Sequence, residues 1–265
     1  MSALPSSFVD LARTPREQGL ADPVAMAHEA FTTPAPQLVA FLTLLAARHR
    51  LGDRLRILDA ACGSGCRLPA LARLGGGAVG MEVDRRLRAS AEERASASIR
   101  VLPGRMDQID APASFDLALS WDGALCYVHD VAGRVLALRR LLRCLRPGGL
   151  LVLELPELLG ELAHTGPYPL QRATLPDQAV VSRDVRHSLV PDQGIVHRQE
   201  RVLIERADGR RASVELLHRM SIVSPQELAY GLRQAGFTKV ETWPGVQATE
   251  PGPSQGPRLL VVARR

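Results

Sequence analysis

Short apolar runs alternate with stretches of helical periodicity between residues 54 and 157 of the chain. Near-continuous apolar strands separated by amphipathic helices are typical of a parallel sheet with helices on both faces. The predicted strands are Leu55–Ala60, Ala78–Val83, Ile99–Leu102, Phe115–Ser120 and Leu150–Leu155. The predicted helices are Cys66–Arg73, Arg86–Ser96 and Asp130–Leu145, the last ended by Pro147-Gly148-Gly149. The pattern therefore predicts an α/β fold with a mostly parallel sheet.

The pattern changes after the fifth predicted strand. Residues 156–175 contain several prolines and predict a loop or a broken helix. Three strands of alternating residues follow at Ala179–Val190, Ile195–Glu205 and Ala212–Ser221. Gly-containing turns join them, as expected of hairpins. We therefore expect an inserted antiparallel lid of three strands.

The two ends of the chain complete the predicted fold. Pro36–Arg50 has the pattern of one amphipathic helix, whereas residues 1–35 show no strong periodicity and predict a mobile flap. A capping box at residues 224–227, with proline at the first helical position, predicts a helix that Gly236 ends. Phe237–Thr242 and Arg258–Ala263 then predict a final pair of strands.

Composition narrows the class of protein. The chain has 265 residues, of which 46% are hydrophobic and 23% charged, as in a globular protein with one large domain. The longest apolar run, Leu38 to Ala47, is shorter than the roughly 20 residues of a membrane span. The N-terminus lacks the pattern of an export signal. We therefore predict a soluble, cytoplasmic protein with no membrane partner.

The basic charge does not by itself indicate nucleic acid. The formal net charge is +5, but 32 of the 33 basic residues are arginines scattered among acids, with Lys239 the only lysine. Solvated arginine faces are the favoured interpretation, and aromatic residues that could stack on bases are scarce. The four cysteines (Cys62, Cys66, Cys126 and Cys144) lack zinc-site spacing and predict small buried residues, so no metal is expected.

The strongest chemical signal is a glycine turn after the first strand. The strand ends in Asp59 and continues as Ala60-Ala61-Cys62-Gly63-Ser64-Gly65 into a helix. Glycines let the backbone approach a ligand closely, and the helix N-terminus offers unpaired N–H groups. In an open parallel sheet, this end of the strands faces the ligand crevice.

An acid at the end of the second strand gives the turn a partner. Glu82 lies about 20 residues beyond the glycines, where a carboxylate can accept hydrogen bonds from ribose hydroxyls. The third glycine of a dinucleotide site is missing, and Asp59 would repel a pyrophosphate. A nucleoside ligand that carries an ammonium and a sulfonium is therefore favoured over NAD and over a purely structural turn.

These motifs resemble those of class I S-adenosylmethionine-dependent methyltransferases. The matching segments are Ile57–Gly65, Gly80-Met81-Glu82, Phe115–Ser120, Leu145–Leu151 and Ser224–Val240. Within that superfamily, the strands at 179–221 and the closing segment from Gly256 are similar to the small-molecule glycine and amino-sugar N-methyltransferases. The resemblance implies a Rossmann-like sheet of seven strands with the last antiparallel. It also implies a methyltransferase domain over 51–265, with 157–222 as inserted lid, after a flap and helix over 1–50.

The same resemblance implies a set of cofactor-binding residues. Asp59, Gly63 and Gly65, with Ala60 and Ala61, would surround the methionine end of S-adenosylmethionine. Glu82 would bind the ribose and Val83 the adenine edge, and Arg105 and Asp107 remain alternatives for the adenine amino group. The other predicted cofactor residues are Met106, Ser120 and Trp121, with Trp121 and Asp122 bordering the methyl group.

The acceptor is less well defined. Transfer from a sulfonium mainly requires alignment and exclusion of water, and an amine needs only to arrive deprotonated, so nitrogen is favoured over oxygen. Tyr127 and His129 are the predicted catalytic residues. Further candidates are His164, Tyr168, His187, His197 and His218. Small-molecule O-methylation, nucleic-acid or protein methylation, an inactive cofactor-binding regulator and a homodimer stay open, although no nucleic-acid partner is expected.

Overall fold

A seven-stranded sheet forms the centre of the computed structural model, which describes residues 22–157, 168–254 and 257–265. Its strands are β1 (Leu55–Asp59), β2 (Gly75–Glu82), β3 (Ile99–Pro103), β4 (Phe115–Ser120), β5 (Leu145–Pro156), β10 (Lys239–Trp243) and β11 (Arg258–Arg264). Their order is β10-β11-β5-β4-β1-β2-β3. Strands β1 to β5 pair in parallel, and β11 is antiparallel to both neighbours. The predicted mostly parallel sheet is confirmed.

Helices cover both faces of this sheet. They are α2 (Ala35–His49), α3 (Leu68–Ala72), α4 (Arg85–Glu92), α5 (Val131–Cys144) and α6 (Pro225–Ala235). Leu138 of α5 and Leu232 of α6 belong to the apolar cluster of one face. Phe41 of α2 and Leu71 of α3 belong to the cluster of the other face. This arrangement leaves the carboxyl ends of β1, β2 and β4 at one edge of the fold, where a ligand crevice is expected.

Strand β5 begins earlier than the pattern predicted. Helix α5 ends at Cys144, and the strand already includes Leu145 and the Pro147-Gly148-Gly149 segment. The register against β4 shifts between the pairs Phe115–Leu145 and Leu117–Leu150, so the extra residues form an irregularity within the strand. A bulge is one of the positions at which a strand accommodates proline.

A further helix, α1 (Pro23–Phe31), lies within the segment predicted to be a flap. Asp22 caps it by accepting a hydrogen bond from Val24 N. All four residues from Val24 to Ala27 are buried. A helix surrounded on several sides has no polar stripe, so no amphipathic period appears in its sequence. Residues 1–21 of the predicted flap lie outside the described residues.

The second sheet, which we call the lid sheet, has four antiparallel strands instead of the predicted three. They are β6 (Gln171–Thr174), β7 (Val180–Val190), β8 (Ile195–Glu205) and β9 (Arg211–Ser221), and all fall within the predicted insertion. The additional strand, β6, pairs with β7 at the sheet edge and is mostly exposed, so it lacks alternating burial. Residues 158–167, which include the candidate His164, lie outside the described residues.

Within the described residues, no single helix has the length and apolarity needed to cross a membrane. Helices α1 and α2 taken together meet that requirement, but they are bent by 53° at their junction.

Candidate active site

A cleft opens at the carboxyl ends of β1, β2 and β4, between the main sheet, α1 and the lid sheet. It encloses about 1350 Å³ of space, including its open mouth. Its polar lining residues are His28, Thr32, Glu82, Arg105, Asp107, Asp122, Tyr127, Arg183, Arg198, Glu200, His218 and Arg258. Its apolar wall includes Val24, Ala27, Phe31, Ala60, Ala61, Val83, Met106, Trp121, Leu216 and Met220. A concave site with an apolar wall and a few polar groups is typical of small-molecule binding.

The two glycines of the turn do different things. Gly63 lines the cleft at a φ of 58°, and a side chain there would clash with the imidazole of His28. Gly65, at a φ of 75°, packs against α4, where an added Cβ would lie 2.8 Å from Cβ of Ala91. Gly63 therefore lets the backbone form the cleft surface, whereas Gly65 allows helix packing and is not among the lining residues.

Glu82 links the glycine turn to the end of β2. Its Oε2 accepts a hydrogen bond from Gly63 N at 2.9 Å, and its Oε1 accepts one from Asp84 N at 2.8 Å. The residue is 4% exposed. Burial raises the pKa of this carboxyl, and the two backbone donors oppose the shift. A carboxylate fixed in this way keeps lone pairs for ligand hydroxyls, as ribose binding requires.

A buried charged cluster lies beside the turn. Arg67 donates to Oδ2 of Asp122 at 2.7 Å, and its Nη2 is 3.7 Å from Oδ2 of Asp59. Burial raises the pKa of Asp59, an effect that Arg67 opposes. Burial also favours the neutral form of Asp122, but Arg67 outweighs it and lowers the pKa to about 2. Asp59 itself does not line the cleft.

The cluster has room for a further positive charge. Its two carboxyl groups face the single guanidinium of Arg67, and neither oxygen of Asp59 has a hydrogen-bond partner of good geometry within the described residues. Buried carboxylates attract a cation that replaces lost solvation. This fits a ligand with a sulfonium and an ammonium group.

The predicted adenine end also meets the cleft. Val83, Met106 and Asp107 line it, and so does Arg105. The two alternatives for the adenine amino group bind each other, because Arg105 Nε lies 3.1 Å from Oδ1 of Asp107. Trp121 lines the cleft and donates from its indole nitrogen to Thr33 at 3.0 Å. Ser120 is buried behind it, outside the lining.

On the opposite wall, Tyr127 contacts a chain of polar groups from the lid sheet. Its hydroxyl is 2.6 Å from Nδ1 of His218, and Nε2 of His218 is 3.6 Å from Oε1 of Glu200. Burial lowers the pKa of His218, and Glu200 opposes that shift. Burial would raise the pKa of Glu200, but Arg198 and Arg183 outweigh it and lower the pKa. At neutral pH these three side chains are therefore a phenol, a neutral imidazole and a carboxylate.

Glu200 and His28 were not predicted as site residues. Glu200 is a buried acid on β8, on the same side of the strand as Arg198 and Val202. An acid on the inner side of a strand with alternating residues could have indicated it as a site residue. Nothing in the sequence around His28 placed it above Gly63, because that contact depends on how α1 packs.

The other histidine candidates lie elsewhere. His129 lies 2.9 Å from the backbone oxygen of Arg219 and is not among the lining residues. His187 packs edge-on against Tyr168 with ring centres 4.9 Å apart, and His197 is also outside the lining. Of the three lid histidines, only His218 lines the cleft.

The comparisons with known proteins agree with this fold. Residues 57–149 match the family model described as a methyltransferase domain. No curated protein matches the chain. Among solved structures, the sugar N-methyltransferase KedS8 from Streptoalloteichus sp. ATCC 53650 superposes with a TM-score of 0.72 at 21% identity, covering 96% of this chain and 97% of its own.

Two other solved structures are similarly related. CalS10, an amino pentose methyltransferase from Micromonospora echinaspora in complex with S-adenosylmethionine, has a TM-score of 0.70 at 22% identity, over 95% of this chain and 100% of its own. DesVI from Streptomyces venezuelae has a TM-score of 0.70 at 18% identity, covering 86% of this chain and 90% of its own. The fold is thus shared with solved methyltransferase structures, and residues 57–149 match the family model of a methyltransferase domain.

Proposed function

We propose that the protein is a class I S-adenosylmethionine-dependent methyltransferase and that it methylates an amine nitrogen of a small-molecule acceptor bound beside Tyr127. The observation that carries this proposal is the hydrogen-bonded pair of Tyr127 and His218, which lines the same cleft as the glycine turn and Glu82. Support also comes from the similar solved structures, which are a sugar N-methyltransferase and an amino pentose methyltransferase.

The cofactor residues have separate tasks. Glu82 would bind the ribose hydroxyls, Gly63 would support the methionine part, and the negative charge of the Asp59–Asp122 cluster would stabilise the cationic end. When bound, S-adenosylmethionine supplies a methyl group with an activated leaving group. The chain therefore has to align the acceptor with that methyl and exclude water. The apolar wall around Trp121 and Met220 serves the exclusion of water.

Tyr127 and His218 would handle the acceptor proton. With the proton of His218 on Nε2, facing Glu200, Nδ1 accepts the hydrogen bond from the tyrosine hydroxyl. Tyr127 Oη would accept an N–H hydrogen bond from the acceptor. If the acceptor binds as an ammonium, one of its protons moves to Oη while the phenol proton moves to His218, and the resulting imidazolium faces the carboxylate of Glu200. The amine lone pair is then available for in-line attack.

Pairs of acceptors that differ only in carrying an amine or a hydroxyl test whether the methyl group goes to nitrogen. We would measure S-adenosylhomocysteine release with a panel of amino sugars and other small amines, each beside the analogue that carries a hydroxyl in place of the amine. We expect turnover with amines and at least about 100-fold less with their hydroxyl partners. Turnover confined to the hydroxyl series, to RNA or to a protein substrate would overturn the proposal.

The same assay separates an active enzyme from an inactive regulator. S-adenosylhomocysteine binding without turnover on any acceptor class would favour a regulatory cofactor-binding protein. The homodimer, the cytoplasmic location and the predicted domain limits stay predictions.

A further inference from the structure

Helix α1 bridges the two sides of the cleft. Val24, Met26 and Ala27 belong to one apolar cluster with lid-sheet residues such as Val202 and Leu216. The other side of the helix faces α4 and the glycine turn of the main sheet. The helix therefore packs against both the lid sheet and the main-sheet side of the cleft.

Two ion pairs attach α1 to the region of α4. Arg86 donates two hydrogen bonds to Asp22, both at 2.8 Å, and Arg94 donates to Glu29 at 2.6 Å. Each of these four side chains is between 23% and 29% exposed. We call the two pairs the α1 clamps. Ion pairs that are partly exposed to solvent are weak enough to break transiently, in contrast to a buried apolar core.

The side of α1 that faces the cleft carries His28. Its imidazole lies directly on Gly63, so that any side chain at position 63 would clash with it. Its Nδ1 is 3.2 Å from the hydroxyl of Ser64. Burial lowers its pKa to about 4, so the ring is neutral at physiological pH. His28 is therefore the side chain that a ligand above the glycine turn meets from the opposite side.

We propose that α1 completes the cofactor site, that His28 contacts the amino-acid end of the bound cofactor, and that the cofactor exchanges only when α1 detaches. A neutral imidazole can offer a hydrogen bond there without adding another charge to the Asp59–Arg67–Asp122 cluster. Val24, Ala27 and Phe31 then form an apolar cover around it. The proposal rests on the cofactor assignment and does not depend on the nature of the acceptor.

Binding kinetics of S-adenosylhomocysteine test the proposal without any acceptor. Stopped-flow fluorescence is suitable because Trp121 lines the cleft. For the clamp variant Asp22→Asn/Glu29→Gln, we expect association and dissociation rates to rise together, by about fivefold, with little change in Kd. Asparagine preserves the helix cap, so the change is confined to charge. A helix that only stabilises the fold would leave both rates unchanged.

The His28 variants test direct contact. For His28→Ala we expect mainly faster dissociation and a Kd raised about tenfold, the effect of one lost hydrogen bond. His28→Gln, which keeps a polar group at the site, should recover part of the affinity and guards against misfolding of the alanine variant. An affinity within twofold of wild type in both variants would refute the contact.

A matched control and a second readout complete the test. Glu215→Gln breaks the exposed Arg201–Glu215 pair of the lid sheet and should change neither rate. S-adenosylhomocysteine should lower the hydrogen-exchange rates of the α1 amides and leave those of the α6 amides unchanged. Equal protection of both helices, or of neither, would contradict a specific role of α1. Loss of amine turnover with these kinetics intact would count only against the proposed acceptor.

Discussion

The Tyr127–His218 contact depends on charges that come from two strands of the lid sheet. Arg183 of β7 and Arg198 of β8 both lie close to Glu200, at 3.2 and 2.8 Å. These cations keep Glu200 ionised in a buried place, and its carboxylate, 3.6 Å from Nε2 of His218, favours a proton on that nitrogen. The site therefore holds the imidazole ready to accept a proton on its tyrosine side.

Removal of the tyrosine hydroxyl should separate catalysis from cofactor binding. For Tyr127→Phe we expect kcat to fall about 100-fold, because the proton relay loses its first member, with an unchanged Kd for S-adenosylhomocysteine. Steady-state kinetics and calorimetric titration measure the two quantities. Tyr230→Phe is the matched control, since Tyr230 is 52% exposed on α6. An unchanged kcat in Tyr127→Phe would remove this residue from the active site.

At the scale of residues, the sequence predicted best what lies at strand ends. Gly63, Glu82 and Val83 line the cleft because they directly follow or end adjacent parallel strands. His218 and Glu200 come from strands about 90 residues beyond β4, so their approach to Tyr127 depends on how two sheets pack. His129 is two residues from Tyr127, yet it contacts Arg219 outside the cleft. Local patterns carry no information about such packing.

At the scale of elements, the strands of the main sheet followed from their continuous apolar runs. The two elements that were missed, α1 and β6, lack a regular pattern for opposite reasons. Helix α1 is buried on most sides, whereas β6 is an exposed edge strand held by backbone pairing with β7. Periodicity detects elements with one buried and one solvated face, and neither element has that division.

Helices α5 and α6 are joined by a pair that the sequence did not predict. Arg134 of α5 donates two hydrogen bonds to Glu227 of α6, at 2.8 and 2.5 Å, and a third to the oxygen of Val128. The arginine side chain is 7% exposed and that of Glu227 27%. The pair thus fixes the helix angle on this face of the main sheet.

Loss of this arginine should destabilise the fold. For Arg134→Met we expect the free energy of unfolding to fall by about 2 kcal/mol, because Glu227 and the Val128 oxygen lose their donor. Urea denaturation measures the change. The exposed pair gives the control: Arg201→Met, where both partners are more than half exposed, should change stability by less than about 0.5 kcal/mol. Equal effects of the two substitutions would show that the pair between α5 and α6 contributes no more than a surface contact.

At the scale of the whole molecule, the burial of His28 on α1 makes the free energy of unfolding depend on pH. His28 is enclosed by α1, the glycine turn and the charged cluster, and the groups acting on its titration are Asp122, which favours the charged form, and Arg67, His218 and Arg94, which oppose it together with burial. Its pKa is about 4 in the folded protein against 6.5 in the unfolded chain. Between these values the unfolded chain binds a proton that the folded protein does not.

The free energy of unfolding should therefore fall as the pH decreases from 6.5 to 4, since protons then favour the unfolded chain. His28 alone accounts for about 3 kcal/mol of this loss, an upper figure because α1 can detach before the whole chain unfolds. Other buried groups titrate in the same range, so the informative quantity is the difference between wild type and His28→Gln. We expect urea denaturation at a series of pH values to give a flatter dependence for the variant. Parallel curves would mean that the imidazole is solvated in the folded protein, and they would remove the physical basis for placing His28 inside a closed cofactor site.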